Sequence, residues 1–582
     1  MAQTLVCLRV HVVLSTKDRR PMITPEVEPE RYADPFRVGT RLGSLSGGVA
    51  PGYYISPLRG ATTAVARYIA HLALSGESPK GIDRVAGGNA PGRQTRKAGV
   101  LMTAFGKVFA AFFWDGRKAM KRFLLFALIA VATTSGALAA QSGSIKLPPY
   151  KKLKLANGMT LLLMERHQVP LVSLQAIVGA GPLADPPGQE GMAALTAGLL
   201  RKGTTTRSAE QFSDALDFVG GQFNTSVSAD YATVSAEFMK KDIGTGVDLV
   251  SDALLHPTFP QEEVEKLIQR SRDGIKAAKD QALAVLPFYF NAYLYGSHPY
   301  ARPSNGDEKS LPTLTRDAMV KFYRTYYTPG NTILAVVGDF DPAEMEKALS
   351  EKFGSWPARP APALSVPDPA EAQGKRLLLV DKPDATQTYY GLGNVGIART
   401  NPDRVYIQVV NTLFGGRFTS QLNSALRIKS GLTYGASSRF DQRKARGPFL
   451  ISTYTRTATT EKAMDMTLEV LQALHEKGVT QEALDSVKNY IKGQFPRSLE
   501  TSRQLAMELA QLEFYGLDRR EVDDFYPQID AMTLADAQRI IRQYYPLDNL
   551  VFVVIGKASE IRPVVGKYAP KMDTRAITEA GF

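Results

Sequence analysis

Cysteine is all but missing from this 582-residue chain: Cys7 is the only one. Beyond it no disulfide framework, cysteine metal site or thiol nucleophile can form. A cysteine-free body suits an oxidising compartment without requiring one. Histidine is nearly as scarce. Only His167, His256, His298 and His475 lie past residue 140, none stands three or four positions from another, and no H-E-x-x-H occurs. The usual helical pairing of histidines around zinc is therefore absent. His256 and His298 each precede a proline, and the four read together as surface and loop residues.

A basic surplus is also missing where it would matter. The formal charge is +13, but residues 1–140 carry 19 Lys and Arg against 8 Asp and Glu, and residues 141–582 carry 51 against 49. The body of the chain makes no gross electrostatic case for nucleic acid. Within the basic leader, Met120-Lys-Arg122 precedes the apolar run Phe123–Ala132 and the small residues Ala137-Leu-Ala-Ala140. That three-part form is expected for a secretory signal peptide over 120–140, short for a membrane span and followed by no lipid-attachment cysteine. The expected location is periplasmic or secreted, with no stable membrane anchor after cleavage. Residues 1–119 lack sustained periodicity and are rich in Arg, Gly and Pro, as in Ala86–Lys97. They read as a disordered upstream extension, with Met120 the true start. The alternative is a genuine cytoplasmic segment ahead of a signal anchor.

Length alone suggests three or four domains. Over 146–356, strand patterns at Met159–Met164 and Val172–Val178 alternate with helical ones. Gln189–Lys202 predicts a helix with Met192, Leu195 and Leu199 on its apolar stripe, and Ser208 caps another. Asn224–Met239 predicts two strands, and Glu262–Lys279 a long charged helix. Trp356–Pro369 then holds five prolines in fourteen residues, a stiff extended linker over 357–374. The second half, 375–570, repeats the order of the first. Tyr326-Tyr-Thr-Pro-Gly-Asn331, an apolar strand and Gly338 close one half; Tyr544-Tyr-Pro-Leu-Asp-Asn549, an apolar strand and Gly556 close the other. The 218-residue offset fits a duplicated domain. The fold class is α+β, two homologous α/β-sandwich lobes.

The stretch Gly191–Thr204 resembles the first active-site helix of the pitrilysin/insulinase family of zinc peptidases, which includes the mitochondrial processing peptidases. That family reads G-x-A-H-F-L-E-H-M-x-F-K-G-T here, an inverted H-x-x-E-H zinc motif. Gly191, Ala193, Lys202, Gly203 and Thr204 keep the frame, while the two histidine positions are Ala194 and Gly198 and the glutamate position is Ala197. A paired E-x6-E on the next long helix supplies the third ligand in the family; its positions here are Leu267 and Gly274. Neither a methyl group nor a hydrogen donates a lone pair to zinc or takes a proton from water. Small residues on one face of the helix equally admit a neighbouring element, at about 1 kcal/mol for an interior glycine. The resemblance, which also covers Gly296–Pro303 and Asn331–Phe340, spans roughly 146–570.

Gly415–Gly435 is similar to the family's G-G-x-F-S-S-x-L-x-x-x-L-R-E-x-x-G-L-x-Y. Phe418, Leu422 and Leu426 are expected on a buried helical stripe, Gly431 at its C-terminal end, and a strand from Leu432. In the family the arginine and tyrosine of this phrase, Arg427 and Tyr434 here, face the zinc helix and hold the substrate backbone and the oxygen on which charge develops. A permanently charged donor fork and a positioned hydroxyl suit that work. The residues alone allow a structural reading as well: Arg427 bonding helix C-terminal carbonyls and Tyr434 a core aromatic. Ile428 stands where the family has an acid, and Arg417 reads as a solvated loop arginine or a further substrate contact.

The resemblance implies a zinc-less subunit of an exported heterodimeric peptidase. A zinc-bearing subunit of the same fold would be its partner and an unfolded peptide its substrate, and no cofactor would be bound by this chain. No catalysis is expected of it alone. The alternative is a non-enzymatic peptide-binding or scaffold protein.

Overall fold

The computed structural model describes residues 145–582, so the expectations for 1–119 and 120–140 lie outside the described residues. Two six-stranded sheets dominate. The first contains β1 (Lys151–Lys154), β2 (Thr160–Glu165), β3 (Leu171–Val178), β4 (Gln222–Val227), β5 (Ala232–Met239) and β6 (Thr332–Gly338), in the order β1-β2-β6-β3-β5-β4. The second contains β7 (Arg376–Asp381), β8 (Gln387–Val395), β9 (Ala436–Phe440), β10 (Pro448–Arg456), β11 (Val551–Gly556) and β12 (Lys571–Ala576), in the order β12-β7-β11-β8-β10-β9. Five of the six positions correspond one to one, as the repeated phrase predicts. The edge differs: β1 pairs antiparallel with β2, whereas β12 pairs parallel with β7. The second sheet thus runs past residue 570, because the chain returns after its last expected strand.

The central strands are apolar at consecutive positions, Leu161-Leu-Leu-Met164 and Val551-Phe-Val-Val-Ile555, which marks sheets buried on both faces. Side chains alternate between faces. Leu161 and Leu163 join the first lobe's own core, while Leu162 and Met164 point to the opposite layer. That second layer comes from the other lobe. Five helices position the site: α1 (Met192–Leu199), α2 (Gln261–Asp280), α3 (Ala282–Tyr295), α4 (Gln481–Gln494) and α5 (Ser502–Phe514). From the second lobe, α5 lays Leu505, Leu509 and Leu512 against Leu162, Ile177 and Val337 of the first sheet. From the first lobe, α3 lays Val285, Leu286, Tyr289 and Phe290 against Leu378, Val380, Val553 and Ile555 of the second. Each lobe lends its equivalent helix to its twin.

The junction is polar at one point. Asp230, 2% exposed, accepts the hydroxyls of Tyr300 at 2.7 Å and Tyr515 at 3.0 Å and the Lys444 N–H at 2.8 Å. Tyr300 belongs to the phrase Gly296–Pro303, whose role here is to lock the lobes together. The proline linker forms no helix or extended strand, and Arg446 clamps its end through Asp368, Glu371 and the Pro369 carbonyl.

Candidate functional site

The helix that carries the family frame is shorter than expected, Met192–Leu199 rather than Gln189–Lys202, because its flanks are turns. Met192, Leu195 and Leu199 are buried as the pattern predicts. The surviving frame is structural. Gly191 sits at φ +94°, and a Cβ there would stand 2.9 Å from the Gly306 nitrogen. Gly203, at φ +131°, would bring a Cβ to 2.8 Å from Pro260. Thr204 donates to Asp252 at 2.7 Å. These residues hold the helix in place whether or not it carries a metal.

The N-terminus of α1 is held by a group far from any capping position in the sequence. The Asp185 carboxylate, 2% exposed, accepts the Gly191 and Ala193 N–H groups at 2.8 Å each. Burial pushes this carboxyl up to about 7, against the two N–H bonds that favour its charged form. The folded state therefore binds the proton more tightly than the unfolded chain between pH 4 and 7. The group's stabilising contribution is full below about pH 4 and is lost as pH rises through 7. We expect denaturant unfolding to show a loss on the order of 4 kcal/mol from this group between pH 4 and 8. In Asp185→Asn that part of the slope should be gone.

The five positions aligned with the family's metal and base residues split between two helices. Ala194 and Gly198 share the half-exposed face of α1, and Ala197 is buried at 1% exposure. Across from them, α2 brings Leu267 so close that a Cβ on Gly198 would stand 3.1 Å from its Cδ2. Leu267 packs on the first lobe's core. Gly274, on the same helix, is exposed and has open space around it. Zinc needs nitrogen, sulfur or oxygen donors, and these five side chains supply none and fill part of the gap with an isobutyl group, so they do not fit the ion. Among the described residues no group of three or more His, Cys, Asp or Glu is arranged to hold a metal. The four histidines are scattered. His167 bridges Glu165 and Asp339, His298 contacts the Pro367 carbonyl, and His256 follows the helix Ile243–Leu255. His475 is not a loop residue as expected: it lies half-buried on the helix Thr460–Lys477, bonded to the Tyr545 carbonyl.

A groove of about 650 Å³ opens on the second lobe, between Leu283, Leu286 and Pro287 of α3 and the turns around β9. Its floor is built from two π-helical segments, Thr412–Gly416 and Ser424–Lys429, a geometry that recurs at functional sites. Gly415 leaves no room for a side chain, since a Cβ would meet the Ser438 Oγ at 2.3 Å. The free edge of β9 is closed by side-chain amides: Asn411 donates to the Ser438 carbonyl at 2.9 Å, and Asn423 accepts the Ala436 N–H at 3.3 Å. That strand starts at Ala436 rather than Leu432.

Leu422 and Leu426 are fully buried, but Phe418 is 60% exposed. It precedes the Ser420 cap, so the helical stripe does not reach it. Its ring lies under the Arg427 guanidinium, 4.7 Å from the centroid. Arg427 makes no ion pair and no side-chain hydrogen bond among the described residues, and the turn ends with the Gly431 N–H donating to its carbonyl at 3.1 Å. Tyr434 is 77% exposed. Both structural roles open to this pair fail: Arg427 does not bond helix-end carbonyls, and Tyr434 is not a core aromatic. No hydrogen bond joins the two; Arg427 lines the groove, and Tyr434 precedes Gly435, which lines it as well. Arg417 is not a solvated loop arginine either. It donates to Ser486 of α4 at 3.2 Å and lies over Tyr490, 5.8 Å from the ring centre.

Comparison with known proteins places the fold. Residues 161–308 match the insulinase family, peptidase family M16, and residues 313–491 match the peptidase M16 inactive domain. The uncharacterized zinc protease YmxG of Bacillus subtilis is 24% identical over 405 residues, covering 69% of this chain and 98% of that protein. An uncharacterized zinc protease of Mycobacterium leprae is 28% identical over 392 residues, covering 67% and 88%. Among solved structures, a peptidase M16 inactive domain from Pseudomonas fluorescens superposes with a TM-score of 0.67 at 27% identity, over 70% of this chain and 98% of that one. A protease from Helicobacter pylori shares the fold with a TM-score of 0.65 at 22% identity, over 70% and 100%. The two-lobed fold is that of these peptidases. The chain belongs to the insulinase family of M16 peptidases, as a peptidase homologue whose sequence lacks the H-x-x-E-H zinc motif.

Proposed function

We propose that this chain is the zinc-less, substrate-holding subunit of an exported two-subunit M16 peptidase. The observation that carries the reading is Arg427: a guanidinium with no carboxylate or carbonyl partner among the described residues, propped on an exposed phenyl ring at a groove, with the exposed Tyr434 next in sequence to the groove residue Gly435. A donor fork and a hydroxyl left free are suited to a peptide carbonyl on which negative charge develops. Metal chemistry, and zinc itself, would belong to a partner subunit bearing an intact motif; this chain binds none. Exposed apolar side chains gather where such a partner would close over the peptide. Leu283, Phe418 and Tyr490 line the groove, and Ile428 and Tyr434 adjoin it. Export rests on the sequence of residues 120–140, and among the described residues no helix is long and apolar enough to cross a membrane.

The test is activity of the co-purified pair. The chain alone should hydrolyse no peptide, and the pair should. Arg427→Ala or Tyr434→Phe should each lower kcat of the pair by about 10²–10³, the effect of losing one donor to a developing oxyanion. Unchanged turnover in both variants would transfer the chain to the scaffold class. Zinc-dependent hydrolysis by this chain alone would overturn the assignment entirely.

A further inference from the structure

The groove that holds Arg427 contains more positive charge than carbonyl recognition needs. Arg417, Arg427 and Arg439 line it, and no Asp or Glu does. Arg439 is satisfied by Asp441 at 3.1 Å. Arg417 and Arg427 form no ion pair with any described carboxylate. Each instead lies over an aromatic ring, Arg417 over Tyr490 and Arg427 over Phe418. Such stacking occupies the face of a guanidinium and leaves its N–H edge available. In Arg417 one Nη already donates to Ser486 at 3.2 Å, and the Nε, sealed from solvent and unpartnered among the described residues, is out of a ligand's reach, so the remaining Nη N–H groups carry its contact with an acceptor. Beside the two guanidinium groups, Leu283, Leu286 and Pro287 supply an apolar wall and Tyr454 an aromatic one.

We infer that the groove is a subsite for a peptide carboxylate, taken by Arg417 together with Arg427, with an apolar residue next to it on the α3 wall. A planar carboxylate with two oxygens matches the guanidinium fork. An acidic side chain and a chain-terminal carboxylate supply the same chemistry. The inference rests on the substrate-holding role of this groove and adds a charge preference to it, with Arg417 as the residue that sets the preference.

Fluorescence anisotropy of labelled, unstructured peptides on the isolated full chain tests it. Three peptides of one length carry Glu beside Phe with an amidated end, Gln beside Phe with an amidated end, and Gln beside Phe with a free terminal carboxylate. At least one carboxylate peptide should bind about tenfold more tightly than the neutral one, and which of them does so identifies the source. In Arg417→Met the ratio should fall towards one. In Arg417→Glu it should reverse in favour of a Lys-bearing peptide, a gain that a misfolded chain cannot produce. Equal binding of all three peptides, or a preference that survives Arg417→Met, overturns the carboxylate subsite and leaves the substrate-holding role intact. Failure to bind any peptide overturns both.

Discussion

Substituting Ala194→His, Gly198→His, Leu267→Glu and Gly274→Glu together is expected to give a chain that binds zinc at roughly micromolar affinity or tighter, where the parent is expected to bind none. Two histidines at i and i+4 share one face of α1, and that face looks across to α2 at Leu267. A carboxylate from α2 would complete a three-ligand site with an open position. The steric argument is specific. Gly198→His alone should destabilise the chain by about 1–3 kcal/mol, because its Cβ would stand 3.1 Å from a well-packed leucine methyl. Exchanging Leu267 at the same time removes the obstacle. Gly274→Glu meets open space and replaces a helix-interior glycine, so it should cost nothing and recover up to about 1 kcal/mol. Ala197→Glu is left out because that position is 1% exposed, and a carboxylate there would be buried without a partner. Equilibrium dialysis with metal analysis reads the outcome. If the fourfold variant takes up no more zinc than the parent, these are not the family's ligand positions.

The two halves and their strands were legible because they rest on local pattern. The stripe Met192, Leu195, Leu199 is buried, Ser208 caps its helix through a reciprocal bond with Gln211, and the closing phrases of the halves end in β6 and β11. What escaped depends on partners distant in sequence. Nothing near Gly191 announces that Asp185 will cap α1, since the carboxylate reaches back across an irregular turn. Phe418 fits a helical spacing with Leu422 and Leu426, but the chain enters that helix only at Ser420, and an arginine stacked above the ring accounts for its exposure. Asn411 and Asn423 are unremarkable in sequence, yet they close the edge of β9. A signal for the groove existed in Arg417 and Arg427, ten residues apart in a glycine-rich phrase that also holds Phe418; that both arginines pair with rings rather than acids is a tertiary fact.

Cutting the chain within the linker should leave two halves that cannot fold apart but fold together. Residues 145–356 expressed alone would expose the outer face of the first sheet, Leu162, Met164, Ile177 and Val337, which α5 covers in the intact chain. Residues 375–582 alone would expose Leu378, Val380, Val553 and Ile555, which α3 covers. The lent side chains are Val285, Leu286, Tyr289 and Phe290 in one direction and Leu505, Leu509 and Leu512 in the other. At roughly 2 kcal/mol for each fully buried apolar side chain, the exchange is worth on the order of 15 kcal/mol. That equals or exceeds the whole net stability of an ordinary domain. Each half alone is therefore expected to aggregate or to lack a cooperative unfolding transition. Co-expressed, the halves should co-purify as one complex with native circular dichroism, because Asp230 with Tyr300 and Tyr515 and the two exchanged helices rebuild the junction. A graded version keeps the chain intact: Leu509→Ala should cost about 2–5 kcal/mol by leaving a cavity on the first sheet, although the substitution lies in the second half. A monomeric, cooperatively folded single half would mean that the lobes stand on their own cores and that the exchanged helices only dock them. If the exchange holds, any ligand taken at the groove and any rearrangement of the first lobe must be felt together, since α3 is at once a wall of the groove and the cover of the second sheet.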